Sequence, residues 1–232
     1  MKNNNRNRLT AFTLSEVLIT IGIIGIVAAI TIPALINNYK AKKLRTQFLK
    51  SYSIIQQVFK QMEADDVSLD PNTYEASSFY KVFARYLSGA SLCAGSSAKS
   101  PLCPNAQTRA DNLYKGINNY YLDDGVILLQ DGTLLMFENT VKTANPNVFV
   151  TVDLNGIKNL PNMEGFDVFT FQFQDGVLRT MGDEETTYHG DEYCDLDKVR
   201  TSNNPNNNFG IACAQKAKED ASYFQKLVKK YK

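Results

Sequence analysis

Between Val17 and Ile36 the chain runs for about twenty residues without a charge, the length an α-helix needs to cross a bilayer. Such a segment must be covered by lipid, by a protein interior or by a bundle of similar segments. One carboxylate, Glu16, stands at its start, behind a basic leader carrying Lys2, Arg6 and Arg8. An acid at the edge of an apolar span costs free energy, so it needs a partner or a task. Gly22, Gly25 and Pro33 interrupt the span. Membrane helices tolerate such residues, although each weakens the helical ladder.

Three fates fit this pattern. A secretory signal would be cut at the small residues Val27-Ala28-Ala29, leaving Ile30 at the mature terminus. A plain signal anchor would not be cut. The third route cuts ahead of the apolar span and keeps it. The segment Ala11-Phe12-Thr13-Leu14-Ser15-Glu16 resembles the processing site of type IV pilins and type II secretion pseudopilins, and the third route is the preferred reading. The resemblance implies cleavage by a prepilin peptidase between Ala11 and Phe12 and N-methylation of the new Phe12 amine. It implies that Glu16 of one subunit pairs with the Phe12 amine of its neighbour during assembly. It also implies that Gly25 and Pro33 are helix weak points. Opposite charges removed from water attract strongly, so such a pair would set the axial register of otherwise nonspecific apolar packing. The family usually carries Gly before the cut and an apolar residue before the acid, where this chain has Ala11 and Ser15. The resemblance is strong over residues 8–60 and architectural beyond.

After the span, Leu44, Phe48, Tyr52, Ile55, Phe59 and Met62 recur at spacings of 4, 4, 3, 4 and 3, one face of a helix. Lys43, Arg45, Lys50, Gln57 and Lys60 lie largely off that stripe. The pattern predicts one helix continuing to Ala64, roughly 75 Å of it at 1.5 Å per residue. Asp70-Pro71-Asn72 reads as a turn, and Phe79 to Leu87 as a short second helix. Asp131-Gly132 between Gly125–Gln130 and Thr133–Glu138 signals a hairpin. Val148–Asp153 is a β-branched run, and Gln174-Asp175-Gly176 joins Val168–Phe173 to Val177–Met181 in a second hairpin. The expected fold is α+β and pilin-like: a long N-terminal helix packed on an antiparallel sheet of four or five strands. A disulfide-closed C-terminal region, with an Asn-rich loop at 201–209 and a terminal helix over 212–231, completes it. The implied divisions are a leader (1–11), a membrane and assembly helix (12–36), an amphipathic stem (37–64) and a globular head (65–232).

Four cysteines fall into two local pairs, Cys93 with Cys103 and Cys194 with Cys213. Neither pair has the spacing of a zinc or thioredoxin-like site, and the chain has a single histidine. Two structural disulfides in an oxidising compartment are expected, with three connectivities open. Both pairs follow the span, which places the leader in the bacterial cytoplasm and the head outside, first at the inner membrane and then in an extracellular or periplasmic filament. The 25 basic and 24 acidic side chains nearly cancel, so charge gives no global argument for nucleic acid. The lysine-rich C-terminus, with Lys226, Lys229, Lys230 and Lys232, is read as a solvated helix end rather than a DNA contact. Lys40, Lys42, Lys43 and Arg45 form a basic collar suited to anionic headgroups or acidic neighbours.

Catalysis is not expected: His189, near Tyr188, Asp191 and Glu192, has no arranged nucleophile, and no nucleotide motif is present. No cofactor or small-molecule substrate is implied. Asp153-Leu154-Asn155-Gly156 and Asp167 hold part of a calcium-loop pattern, but an Asn-Gly turn explains the same residues, and no metal is assigned. The expected function is therefore a structural filament subunit, a minor pilin or pseudopilin. An adhesive minor pilin whose head binds DNA, a surface or secreted cargo is the alternative, and a secreted soluble protein the third.

Overall fold

The computed structural model describes residues 12–75, 77–93, 103, 114–139, 146–202, 204 and 207–231. The expected leader with Ala11 (1–11) and the residues between Cys93 and Cys103 (94–102) lie outside them. The chain divides into two units, Met1–Lys40 and Ala41–Lys232.

Helix α1 (Leu14–Ala64) is 51 residues long and contains Pro33. In the first unit its apolar side chains are exposed all round, from Leu14 to Ile36. This stretch is long and apolar enough to cross a membrane. From Ala41 the helix buries a single stripe: Ala41, Leu44, Phe48, Ser51, Ile55, Val58, Phe59 and Met62. Tyr52 of the expected stripe is half-buried, because its hydroxyl reaches out to donate to Leu178 O at 3.2 Å.

The head is built on a six-stranded antiparallel meander in sequence order: β1 (Ser91–Cys93), β2 (Gly125–Leu128), β3 (Leu134–Asn139), β4 (Val148–Asp153), β5 (Val168–Gln174) and β6 (Val177–Thr180). The sheet thus has one strand more than the four or five expected. The addition is β1, three residues paired to β2 through Ser91↔Leu128 and Cys93↔Val126. The β5–β6 hairpin closes through Asp175 and Gly176, both at positive φ, the two-residue geometry that matches strand twist. The β2–β3 loop is longer than a two-residue turn: Leu129 N bonds Thr133 O at 2.9 Å and Gly132 sits at φ 88°.

Register and alternation assign the two faces. Leu135 and Phe137 of β3, Val150 and Val152 of β4, and Phe169 and Phe171 of β5 line one face. The stem covers it. Phe48 meets Phe169 edge-on at 4.8 Å, and Phe59 stacks on Phe173 at 3.8 Å. Each such ring pair adds about 0.5–1.5 kcal/mol beyond area burial. Helix α2 (Phe79–Phe83) brings Phe79 and Phe83 against Phe59. The opposite face carries Glu138, Phe149, Thr151, Asp153, Thr170 and Gln172, all buried. The 114–122 segment lies over it, through Tyr121 against Phe149 at 5.2 Å and Tyr114 on Asp153.

The C-terminal region differs from the single terminal helix expected over 212–231. It forms α3 (Leu196–Thr201), α4 (Cys213–Glu219) and α5 (Tyr223–Lys230). Asp220 separates α4 from α5: its Oδ1 accepts both the N–H (2.8 Å) and the hydroxyl (2.6 Å) of Ser222. That local bond competes with the helical ladder. Phe224 of α5 packs on Phe48 and Phe169. Disulfides join Cys93 to Cys103 and Cys194 to Cys213.

Candidate functional site

The N-terminal end of α1 carries the chemistry the sequence singles out. Thr13 caps the helix. Its hydroxyl accepts the Glu16 N–H at 3.2 Å and donates to Glu16 Oε2 at 2.9 Å, while the Thr13 N–H donates to the same oxygen at 2.8 Å. This reciprocal arrangement is a capping box. It satisfies otherwise orphaned amides of the first turn and sets an anion at the positive end of the helix dipole. Glu16 is therefore not a bare charge: its own chain solvates it. Thr13 is the cap residue, a role the sequence reading did not assign. The signal was present, since Thr-x-x-Glu before an apolar run is the signature of this motif. Phe12 is 86% exposed beside the cap. Gly25 has open space around it and Pro33 lies within the continuous helix. Ala11 lies outside the described residues.

Elsewhere the head holds two acidic clusters. At the β2–β3 end, carboxylate oxygens of Asp123, Asp124 and Glu138 lie within 4.8 Å of one another. Asp124 is anchored by the Ser77 hydroxyl at 2.6 Å and the Asn139 N–H at 2.9 Å. Burial pushes Glu138 up to about 8, with the charges of Asp124 and Asp123 adding to the shift and a bond from Tyr120 opposing it.

The second cluster contains the residues of the calcium-like pattern. Asp153 Oδ1 accepts the N–H groups of Asn155 (3.2 Å) and Gly156 (2.8 Å), and its Oδ2 accepts the Tyr114 hydroxyl (3.0 Å). Asp167 Oδ1 accepts Met163 N–H (2.8 Å); its Oδ2 accepts Asn162 N–H (3.2 Å) and Asn155 Nδ2 (3.3 Å). Glu164 Oε1 accepts the Thr170 hydroxyl at 2.8 Å. The structure thus brings Asp153, Asn155 and Asp167 together and adds Tyr114 and Asn162, which sequence spacing did not reveal. Burial pushes Asp153 up to about 7, with the charge of Asp167 adding, and Asp167 to about 6.

His189 is exposed, with Nδ1 3.0 Å from Thr186 O in a turn, while the Tyr188 hydroxyl bonds that of Tyr121. Three lysines of the C-terminal helices have acidic partners: Lys216 pairs with Asp191, Lys226 with Asp220 and Lys230 with Asp197. In the basic collar, Arg45 donates to Asp220 O at 3.4 Å.

Residues 6–32 match the family model for the prokaryotic N-terminal methylation motif. Searches of curated proteins and of solved structures give no match. The matched segment runs from Arg6 through the capping box with Glu16 and along the apolar helix as far as Ile32. The chain carries the N-terminal methylation motif that is the hallmark of type IV pilins and pseudopilins, joined to an α+β fold of the pilin-like kind.

Proposed function

We propose that the chain is a minor subunit of a type IV pilus or type II secretion filament, processed and assembled through its N-terminal helix. A prepilin peptidase cuts between Ala11 and Phe12 and methylates the Phe12 amine. Residues 12–36 then hold the subunit in the inner membrane, with the leader side cytoplasmic and the stem (37–64) and head (65–232) outside. On assembly the same apolar helix exchanges lipid for the helices of neighbouring subunits. The capping box supports a two-stage role for Glu16. In the waiting subunit its carboxylate is satisfied by Thr13; in the filament the methylated amine of a neighbouring Phe12 takes its charge, and Gly25 and Pro33 let the helix adapt.

One observation carries this reading: the matched motif ends in an uninterrupted apolar helix whose only acid through Ile36 is Glu16, held at the helix start. Mass spectrometry of the mature N-terminus tests it. N-methylated Phe12 is the expected terminus. A mature protein beginning at Ile30, or an uncut Met1 form in assembled filaments, would refute it.

A further inference from the structure

A cleft of about 490 Å³ opens between the stem, the β2–β3 loop and the segment after α2, and the N-terminal chemistry does not use it. Helix α1 lines one wall from Lys50 to Gln61, and residues 86–88 and 129–131 line the other. Ligand sites usually enclose about 300–1,000 Å³. Val58, Leu87 and Leu129 pack on the head core and give the cleft an aliphatic floor. Its charged residues, Lys50 and Asp131, pair with one another at 2.7 Å. An ionic ligand therefore finds no free countercharge here, and a neutral one meets no unpaired charge to desolvate.

The polar groups above that floor are carboxamides. Gln57 and Gln61 line the stem wall and Gln130 the opposite one. Among the described residues, none of these three side chains has a hydrogen-bond partner. The place of Gln130 is fixed by Gly89 at φ 71°, where a Cβ would overlap Gln130 Nε2. A carboxamide carries a donor and an acceptor side by side, the complement of a peptide group.

The spacing of the stem pair selects the ligand. Four helical residues advance about 6 Å. Along one edge of an extended chain, equivalent N–H and C=O groups recur every second residue, about 6.6 Å apart. Gln57 and Gln61 thus nearly match the repeat of an extended main chain. The wall from Lys50 to Gln61 is about 16 Å long at 1.5 Å per residue, room for about five extended residues. We propose that this cleft binds an extended, uncharged peptide segment of a partner protein. Gln57 and Gln61 bond one edge of its main chain, Gln130 holds it from the opposite wall, and an aliphatic side chain rests on the floor. Main-chain bonds then supply affinity and the floor supplies selectivity.

The test immobilises the full-length protein in detergent and passes over it a library of capped hexapeptides in which Ser alternates with Val, Leu or Ile. Retention should exceed a detergent-only surface by at least about tenfold. The same library with Glu or Lys in place of Ser should pass through. Gln57 and Gln61 are exposed on a helix, where Ala is the better helix former, so replacing both by Ala should leave circular dichroism unchanged. Peptide retention should fall at least about fivefold in that variant, as expected for two lost hydrogen bonds. Gln56→Ala, exposed but outside the lining, should retain peptide normally. No retention by folded protein would overturn the proposal, as would equal retention without Gln57 and Gln61 or loss of retention in Gln56→Ala. Glutamine-dependent retention of maltohexaose in place of peptide would assign the cleft to a neutral sugar. Dissociation of a dimer in the Gln57 and Gln61 variant, with no peptide retained by wild type, would assign it to a second copy of this chain. Either result would also overturn the proposal.

Discussion

Replacing Glu138 by Gln should flatten the pH dependence of head stability. Glu138 is 3% exposed on β3, bonded by Tyr120 and flanked by Asp123 and Asp124. Burial carries its carboxyl up to about 8, so the folded state holds a proton that the unfolded chain releases near the ordinary carboxylate value. The stability this proton confers is complete below that ordinary value. It is lost as pH rises through the window up to about 8. Each unit of displacement is worth about 1.4 kcal/mol, giving an upper bound near 5 kcal/mol. Asp123 and Asp124 lie toward solvent, which screens their share, and about 2 kcal/mol between pH 5 and pH 8 is the working figure. Gln keeps an acceptor for Tyr120 and cannot ionise. Urea unfolding of the full-length protein in detergent, followed by circular dichroism from pH 5 to 9, should show wild type falling toward high pH relative to Glu138→Gln. The two should be nearest at pH 5. Parallel profiles would refute the claim that Glu138 is a proton-holding buried group.

Glu16→Ala should still be cleaved and methylated but should enter filaments poorly, measured as the ratio of sheared filament to membrane-bound subunit; normal incorporation would remove the proposed charge pairing. Thr13→Val, which deletes the capping hydroxyl, should cost the first turn about 1 kcal/mol and lower filament yield, whereas Thr13→Ser should restore it; equal yields for Val and Ser would show the cap to be irrelevant. Phe48→Ala removes the ring shared by Phe169, Phe171 and Phe224 and should destabilise the head by about 3–5 kcal/mol in chemical denaturation. Replacing Cys194 and Cys213 together by Ser should cost about 2–4 kcal/mol by the same assay, and an unchanged midpoint would deny this disulfide a stabilising role.

The features legible in the sequence were those specified by local chemistry. The stem stripe from Leu44 to Met62 could be read because helical period alone selects a face. The Asp175-Gly176 turn could be read because few residue pairs tolerate positive φ twice. What stayed hidden depends on distant partners. Strand β1 is three residues long and is defined by pairing with β2. The burial of Thr170 and Gln172 comes with partners outside the strands, the Glu164 carboxylate and the Thr187 N–H, which no strand pattern announces. The α4–α5 break was masked because apolar spacing continues across it while the Asp220 side chain turns back on Ser222. At the site, the lone Glu16 in an apolar run is visible from composition, while its bonds to Thr13 are a matter of cap geometry. Tyr114 reaches Asp153 from a distant part of the chain, and spacing cannot show that.

The composition of α1 explains how one helix can serve two environments. Up to Ile36 it is apolar on every side and exposed. The polar residues Asn37, Asn38 and Lys40 follow, and at Ala41 the burial narrows to one stripe. Among the described residues, none of the head's aromatic packing uses a residue before that point: Phe48, Tyr52 and Phe59 are the rings α1 contributes. On the proposed function, the cover of the N-terminal half would change from lipid to protein without using any ring of the head's aromatic packing. A helix apolar throughout its length would tie head stability to its surroundings, and one striped throughout would have no all-round surface for a bundle. The change of pattern near Lys40 confines the buried stripe of α1 to the part of the helix that follows it.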